Sequence, residues 1–346
     1  MSKRAQRRNK AKTKKPAAPP DWRSEASGPL FHYTSGAGLI GIIQDQVLWA
    51  THASFLNDTA ELKILSTLLA PQIADEFREI VPKLDALDVF KPEMLRRHGE
   101  GIYDTEAGNL CHAVMRAIEN VSPMYVVSFC MHDAGSEESK HGLLSQWRGY
   151  GFGGFAIEFD PEELDRLCIE ERTKCSLQMV ATRKVAYHDH AARAQLDRFH
   201  GIGRSTLGST VREVAPEIAE RAEIKEILGD KRLDNFIRPF LETVPFLKTP
   251  RFEAEREYRL VAAPTRLRKA VDDKRQTVKV YFREGPSGTI VPYVKLFETL
   301  GEKLPIRKII VGPHRDQENQ LRAVELLLEQ NKMDIEVVTS DTTLRV

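Results

Sequence analysis

Cysteine is scarce in this sequence. The 346 residues contain four, at positions 111, 130, 168 and 175, and none form a Cys-x-x-Cys pair. That excludes a disulfide scaffold and points to reduced thiols. Long apolar runs are missing as well. No stretch approaches the roughly 18 uninterrupted apolar residues of a transmembrane helix, and the basic N-terminus leads into Pro16, Pro19 and Pro20 rather than the apolar segment of a secretory signal. The expectation is a cytoplasmic, bacterial protein with no membrane partner. Net charge is almost absent too, with 51 Lys+Arg against 50 Asp+Glu. The total hides a split. Residues 1–20 carry Lys3, Arg4, Arg7, Arg8, Lys10, Lys12, Lys14 and Lys15 and no acidic residue, which leaves 43 basic and 50 acidic residues elsewhere. A tail of +8 is joined to a body of −7. At 41% hydrophobic and 29% charged, the composition excludes collagen-like and wholly disordered chains.

Residues 1–27 have almost no bulky apolar side chains to offset the entropy of ordering, so a disordered basic tail is expected there. Residues 28–346 read as a single α+β domain. Leu30 to Thr34 is a strand pattern, Leu39, Ile42 and Ile43 have helical spacing, and Val47 to Ala50 is a second strand. Helical inserts are expected near 58–120 and 190–248, with Gly201 to Gly208 as a break in the second. Strands are expected at 124–131, 154–160, 180–188, 257–263, 277–283, 306–312 and 334–339, and helices after Pro161 and at 316–332. Short strands separated irregularly by helices fit α+β better than the regular rhythm of a doubly wound sheet.

Three segments put polar and aromatic residues where a buried strand does not need them. In Phe31-His32-Tyr33-Thr34-Ser35, His32 and Tyr33 point to opposite faces, and Thr34 and Ser35 stand at the strand end. A His beside hydroxyls can read a ribose or a phosphate; equally, His32 is a hydrogen-bonded core residue and Thr34 or Ser35 caps the next helix. Ser145-Gln146-Trp147-Arg148-Gly149-Tyr150 precedes Gly151, Gly153 and Gly154, so the rings either stack on a flat ligand or fill the core beneath a hairpin. Glu255, Glu257 and Arg259 share one face of a strand, as a pocket-lining carboxylate with a basic partner or as a solvated edge. Asn57, Asp58 and Glu61 read first as a capping box. His188, His190 and His200 do not have the spacing of a zinc site, and no metal is expected.

These motifs, with Gly41-Ile42-Ile43, Leu48-Trp49-Ala50, Leu56-Asn57-Asp58, Ser128-Phe129 and Ile310-Val311-Gly312-Pro313, resemble in their order the bacterial family called domain of unknown function 2971, over residues 29–314. That pattern is in turn similar to ADP-ribosyltransferases, its opening segment particularly to the DNA-targeting toxins of that superfamily. The resemblance implies an ADP-ribosyltransferase-like split β core with helical insertions and NAD as co-substrate. It implies that His32 holds the ribose, that Tyr150 with Trp147 stacks on nicotinamide, and that Glu257 is the catalytic carboxylate. Thr34, Ser35, Arg148, Glu255 and Arg259 are the further cofactor-binding candidates, the arginines for the phosphates. A carboxylate on the ribose hydroxyl would stabilise the positive charge that develops as the nicotinamide bond breaks.

The expected function is NAD-dependent ADP-ribosyl transfer to a nucleic-acid or protein acceptor in bacterial defence or stress. The alternative is a non-catalytic nucleotide- or nucleic-acid-binding module of the same fold. Residues 3–15 are the candidate nucleic-acid contact, because Lys/Arg tails release counterions from phosphates. The transferase expectation requires His32, Tyr150 and Glu257 to converge on one cleft.

Overall fold

The computed structural model describes residues 26–56, 61–89, 97–149, 154–187, 194–229, 231–266, 274–285 and 288–342. The basic tail, Asn57, Asp58, Tyr150, His188 and His190 lie outside these residues. In chain order the principal elements are β1 (Leu30–Thr34), α1 (Gly36–Asp45), β2 (Leu48–His52), α2 (Glu61–Ala86), α3 (Gly101–Val121) and β3 (Tyr125–Met131). Next come α4 (Glu137–His141), α5 (Leu144–Gly149), β4 (Phe155–Phe159), α6 (Pro161–Lys174), β5 (Leu177–Lys184), α7 (Ile202–Val214) and α8 (Ile237–Thr243). The chain continues through β6 (Glu257–Pro264), β7 (Val280–Glu284), β8 (Ile290–Leu296), β9 (Ile306–Val311), α9 (Gln317–Gln330) and β10 (Glu336–Thr339). The mixed α+β class expected from the sequence is observed.

The described strands join one sheet, β10-β9-β4-β1-β3-β2-β8-β7, while β6 pairs with the other side of β3 and with β5. β3 is the branch point. On one side it pairs along its length with β6, from Tyr125–Ala262 to Cys130–Glu257. On the other it meets β1 only at Leu30–Met131 and Phe31–Cys130, and β2 only at Thr51–Val126 and His52–Tyr125. Between those contacts β1 and β2 part, so residues 127–129 face a split in the sheet.

Strand alternation gives the two faces different cores. Leu30, Phe129, Ile157, Tyr258 and Leu260 face α1, α6 and α9, whose Leu39, Ile43, Leu164, Leu167, Val324 and Leu328 belong to the same cluster. On the opposite face Val126, Met179, Ala181, Val261 and Ala263 pack under α2, α3, α7 and α8. Both helical inserts therefore form one layer. Farther along that face Phe31, Tyr33, Cys130, Ala156 and Ile310 enclose Trp147.

Two expectations are corrected, and one strand was not expected. Gly201 to Gly208 is not a break: α7 runs through it, and only Gly201, at φ +87°, lies outside. Gly203 is there for close packing, since a Cβ would lie 2.9 Å from Glu76 Oε2 and 3.2 Å from a Phe77 ring carbon. Strand 180–188 instead spans Leu177–Lys184. β8 had no sequence signal because Pro292 argues against an interior strand; it is accommodated because the β2 ladder stops at Tyr293.

Candidate functional site

A cavity of about 330 Å³ opens on the Glu257 face of the sheet beside the split. Phe31 and Tyr33 of β1, Ser128 and Cys130 of β3, and Glu257 and Arg259 of β6 line its sheet side. Ser145, Gln146 and Gly149 of α5 form one wall, and Lys248, Phe252 and Glu255, from the segment before β6, form the other.

The charged groups are arranged by local backbone geometry. A 3₁₀ turn, Pro250–Glu255, ends at Arg256 in the left-handed region at φ 45°, and β6 begins at the next residue. Arg256 turns outward into a two-point ion pair with Asp133, at 2.7 and 2.9 Å, while Glu255 and Glu257 turn inward. Lys248 Nζ donates to Glu255 Oε2 at 2.8 Å and to Glu257 Oε2 at 2.9 Å. Arg259 Nε donates to Glu257 Oε1 at 2.8 Å and its Nη2 to Oε2 at 3.0 Å, while Nη1 donates to the Pro245 carbonyl at 2.6 Å. The Ser128 hydroxyl also bonds the Glu257 carboxylate. Two carboxylates and two cations close on one another with no net charge. Burial alone would raise the Glu257 pKa, but Arg259 and then Lys248 and Ser128 outweigh it and hold the carboxyl at about 2.

The neighbouring groups are uncharged. Burial, then the Glu257 and Glu255 carboxylates, push the Cys130 thiol far up, so it is not a thiolate nucleophile. Tyr33 Oη accepts from the Leu143 backbone N–H at 2.6 Å and pairs with His132 Nε2 at 3.1 Å. Burial and then Arg256 lower His132 to about 4. This pair docks the start of the α5 wall onto β1.

The sequence-predicted residues divide. Glu255, Glu257 and Arg259 converge on the cavity, although Glu255 belongs to the turn and not to the strand. His32 does not. It lies opposite Ile157 in the ladder and against the Phe129 ring at 5.8 Å, on the α1 face, and its Nδ1 donates to the Ser128 carbonyl at 2.9 Å across the split. Burial lowers its pKa, partly opposed by that hydrogen bond. The convergence required of His32 and Glu257 is therefore absent, because adjacent strand residues alternate faces and it is Phe31 and Tyr33 that reach the cavity. Ser35 Oγ accepts from Gly38 N and caps α1, and Thr34 packs against Gly38; neither lines the cavity. Trp147 is 1% exposed, its Nε1 donates to the His141 carbonyl at 2.9 Å, and its ring packs on Tyr33 at 4.9 Å. It is a core residue under a helix, with no face for a ligand and no hairpin around it. Arg148 is exposed on α5 and outside the cavity lining. Tyr150 is outside the described residues.

The chain matches no protein-family model, no curated protein and no solved structure.

Lys248, Phe252 and Cys130 of the cavity were not expected from the sequence, and Ser145 and Gln146 stood in the segment singled out there without being named as binding residues. Lys248 comes from a coil with no periodic pattern, and Cys130 reads as an ordinary buried strand residue; Leu56 and Ser128-Phe129, also on the lining, carried a signal within the family resemblance. Among the described residues no group of three or more His, Cys, Asp or Glu is placed to hold a metal ion, and no helix is long and apolar enough to cross a membrane.

Proposed function

We propose that the cavity binds a nucleoside or nucleotide by its sugar and ring, and that the chain is a nucleotide-binding module. The observation that carries this reading is the juxtaposition of the exposed Phe252 ring with the paired carboxylates Glu255 and Glu257 in one cavity of about 330 Å³. An exposed aromatic ring suits a flat heterocycle, a carboxylate oxygen suits a sugar hydroxyl, and the volume lies in the range of small-molecule sites. Melting curves with adenosine, AMP, ADP-ribose and NAD test it. A ligand at a hundred times its dissociation constant adds about 2.7 kcal/mol to the folded state, and flat melting temperatures across the panel would refute the reading.

A second reading, NAD-dependent ADP-ribosyl transfer to a nucleic-acid or protein acceptor, is favoured by one observation: Glu257 stays ionised to about pH 2 at the cavity floor. A permanently ionised carboxylate can stabilise positive charge developing on a sugar. NAD, when bound, would supply the ADP-ribosyl group and the nicotinamide leaving group. Phe252 would contact the ring and Glu255 the ribose, with Glu257 acting electrostatically behind it, while Lys248 and Arg259, already paired, leave the diphosphate outside. The parting of β1 and β2 on one side of β3 supports an ADP-ribosyltransferase-like split core. The shared cleft of His32, Tyr150 and Glu257 that the family resemblance requires is given up in this version, which rests on Glu257 without His32. Release of nicotinamide from NAD by the wild type and its loss in Glu257→Gln is the expected result; release that is absent in both, or equal in both, contradicts it.

A further inference from the structure

Resting on the nucleoside-binding reading, we propose that Glu255, and not Glu257, is the carboxylate that meets the ligand, and that it selects a hydroxyl-bearing sugar, with no phosphate held inside the cavity. The argument is one of acceptor capacity. Glu257 already accepts from Arg259 Nε, Arg259 Nη2, Lys248 Nζ and the Ser128 hydroxyl, as many donors as a carboxylate has lone pairs. Its side chain is 5% exposed. A ligand hydroxyl could reach Glu257 only by displacing one of those donors.

Glu255 is different. Its side chain is 26% exposed, Lys248 holds Oε2 alone, and Oε1 has no donor among the described residues. On the same lining, the Gln146 amide and the Ser145 hydroxyl of α5 also have no side-chain partner among the described residues. An open carboxylate oxygen in the same cavity as an open amide and hydroxyl matches a sugar diol, which donates to the carboxylate and accepts from the amide. Among the described residues a phosphate finds no uncommitted cation on the lining, since Lys248 and Arg259 are both spent on carboxylates, and it would meet the open Glu255 oxygen. Lys248 thus aims Glu255, while Glu257 and Arg259 hold Lys248 and the strand in register.

Isothermal titration of the full chain with adenosine, AMP, 2′-deoxyadenosine and inorganic pyrophosphate separates the possibilities. The variants are Glu255→Gln and Gln146→Ala, each checked for an unchanged melting temperature. The expected result is that adenosine and AMP bind the wild type within a few-fold of each other, that pyrophosphate neither binds nor competes, and that Glu255→Gln weakens adenosine about tenfold or more. Adenosine should also exceed 2′-deoxyadenosine on the wild type, with the preference lost in Glu255→Gln. If no nucleoside binds the wild type, the binding reading itself fails. If nucleosides bind but Glu255→Gln binds adenosine as the wild type does, or pyrophosphate competes, that reading stands and this assignment is overturned.

Discussion

Glu257 opens β6 as an acidic residue 3% exposed, tolerated because every oxygen lone pair has a donor. Its folded-state pKa of about 2 lies below the ordinary 4.5, so its contribution to stability is complete above pH 4.5 and is lost as the pH falls from 4.5 towards 2. The difference corresponds to about 3 kcal/mol. Glu257→Gln should cost a similar amount at pH 7, because Lys248 and Arg259 then stay buried without their counter-ion, and should flatten the acid limb. Urea denaturation between pH 2 and 7 checks this, and equal acid slopes in both proteins would contradict it. His132 behaves likewise one window higher: with a folded pKa of about 4 against 6.5, the neutral ring favours the native state above pH 6.5, and that advantage is lost between 6.5 and 4. His132→Asn should remove that part of the pH dependence. The Glu257–Arg259 pair was legible in the sequence, because residues two apart on a strand share a face. Trp147 was not. A tryptophan near glycines reads the same whether it stacks on a ligand or fills a slot, and here Gly312 is the slot: a Cβ on it would lie 2.6 Å from the Gly154 carbonyl oxygen and 2.9 Å from the Trp147 ring. Gly312→Ala should destabilise by about 1–3 kcal/mol, measured by urea denaturation.

At the scale of elements, the helical layer is fastened by a carboxylate from one insert capping a helix of the other. Glu76 of α2 accepts from the Gly201 backbone N–H at 2.6 Å and from that of Arg204 at 3.1 Å, at the N-terminal end of α7 where such donors otherwise lack partners. Glu76→Ala should cost about 2 kcal/mol and speed amide exchange at residues 201–206 while β3 stays protected. Unchanged exchange at α7 would show that the cap is dispensable. Apolar spacing made both inserts legible. Their union was not, because it depends on packing between segments about 130 residues apart. The misread break at Gly201 to Gly208 has the same origin: glycine at Gly201 serves a left-handed backbone and at Gly203 close helix approach, and the letter does not distinguish them.

For the molecule as a whole, strand alternation placed His32 and Tyr33 on opposite faces correctly, but which face carried the cavity depended on the branch at β3. That branch arises from long-range register between β1, β2, β3 and β6 and leaves no local trace. The tail remains a separate matter of charge. Deleting residues 1–20 removes eight cations and should reduce the slope of log K against log salt for any nucleic-acid binding by several units, since each neutralised phosphate contributes about 0.9 for duplex DNA. An unchanged slope would exclude the tail as the contact. The account of the body stands on the ligand occupying the Glu257 face. Hydrogen exchange with and without saturating NAD or adenosine should show slowed amides in residues 145–149 and 248–259 and none in α1 behind His32. Slowing confined to α1 and the His32 face, with 248–259 unaffected, would contradict it.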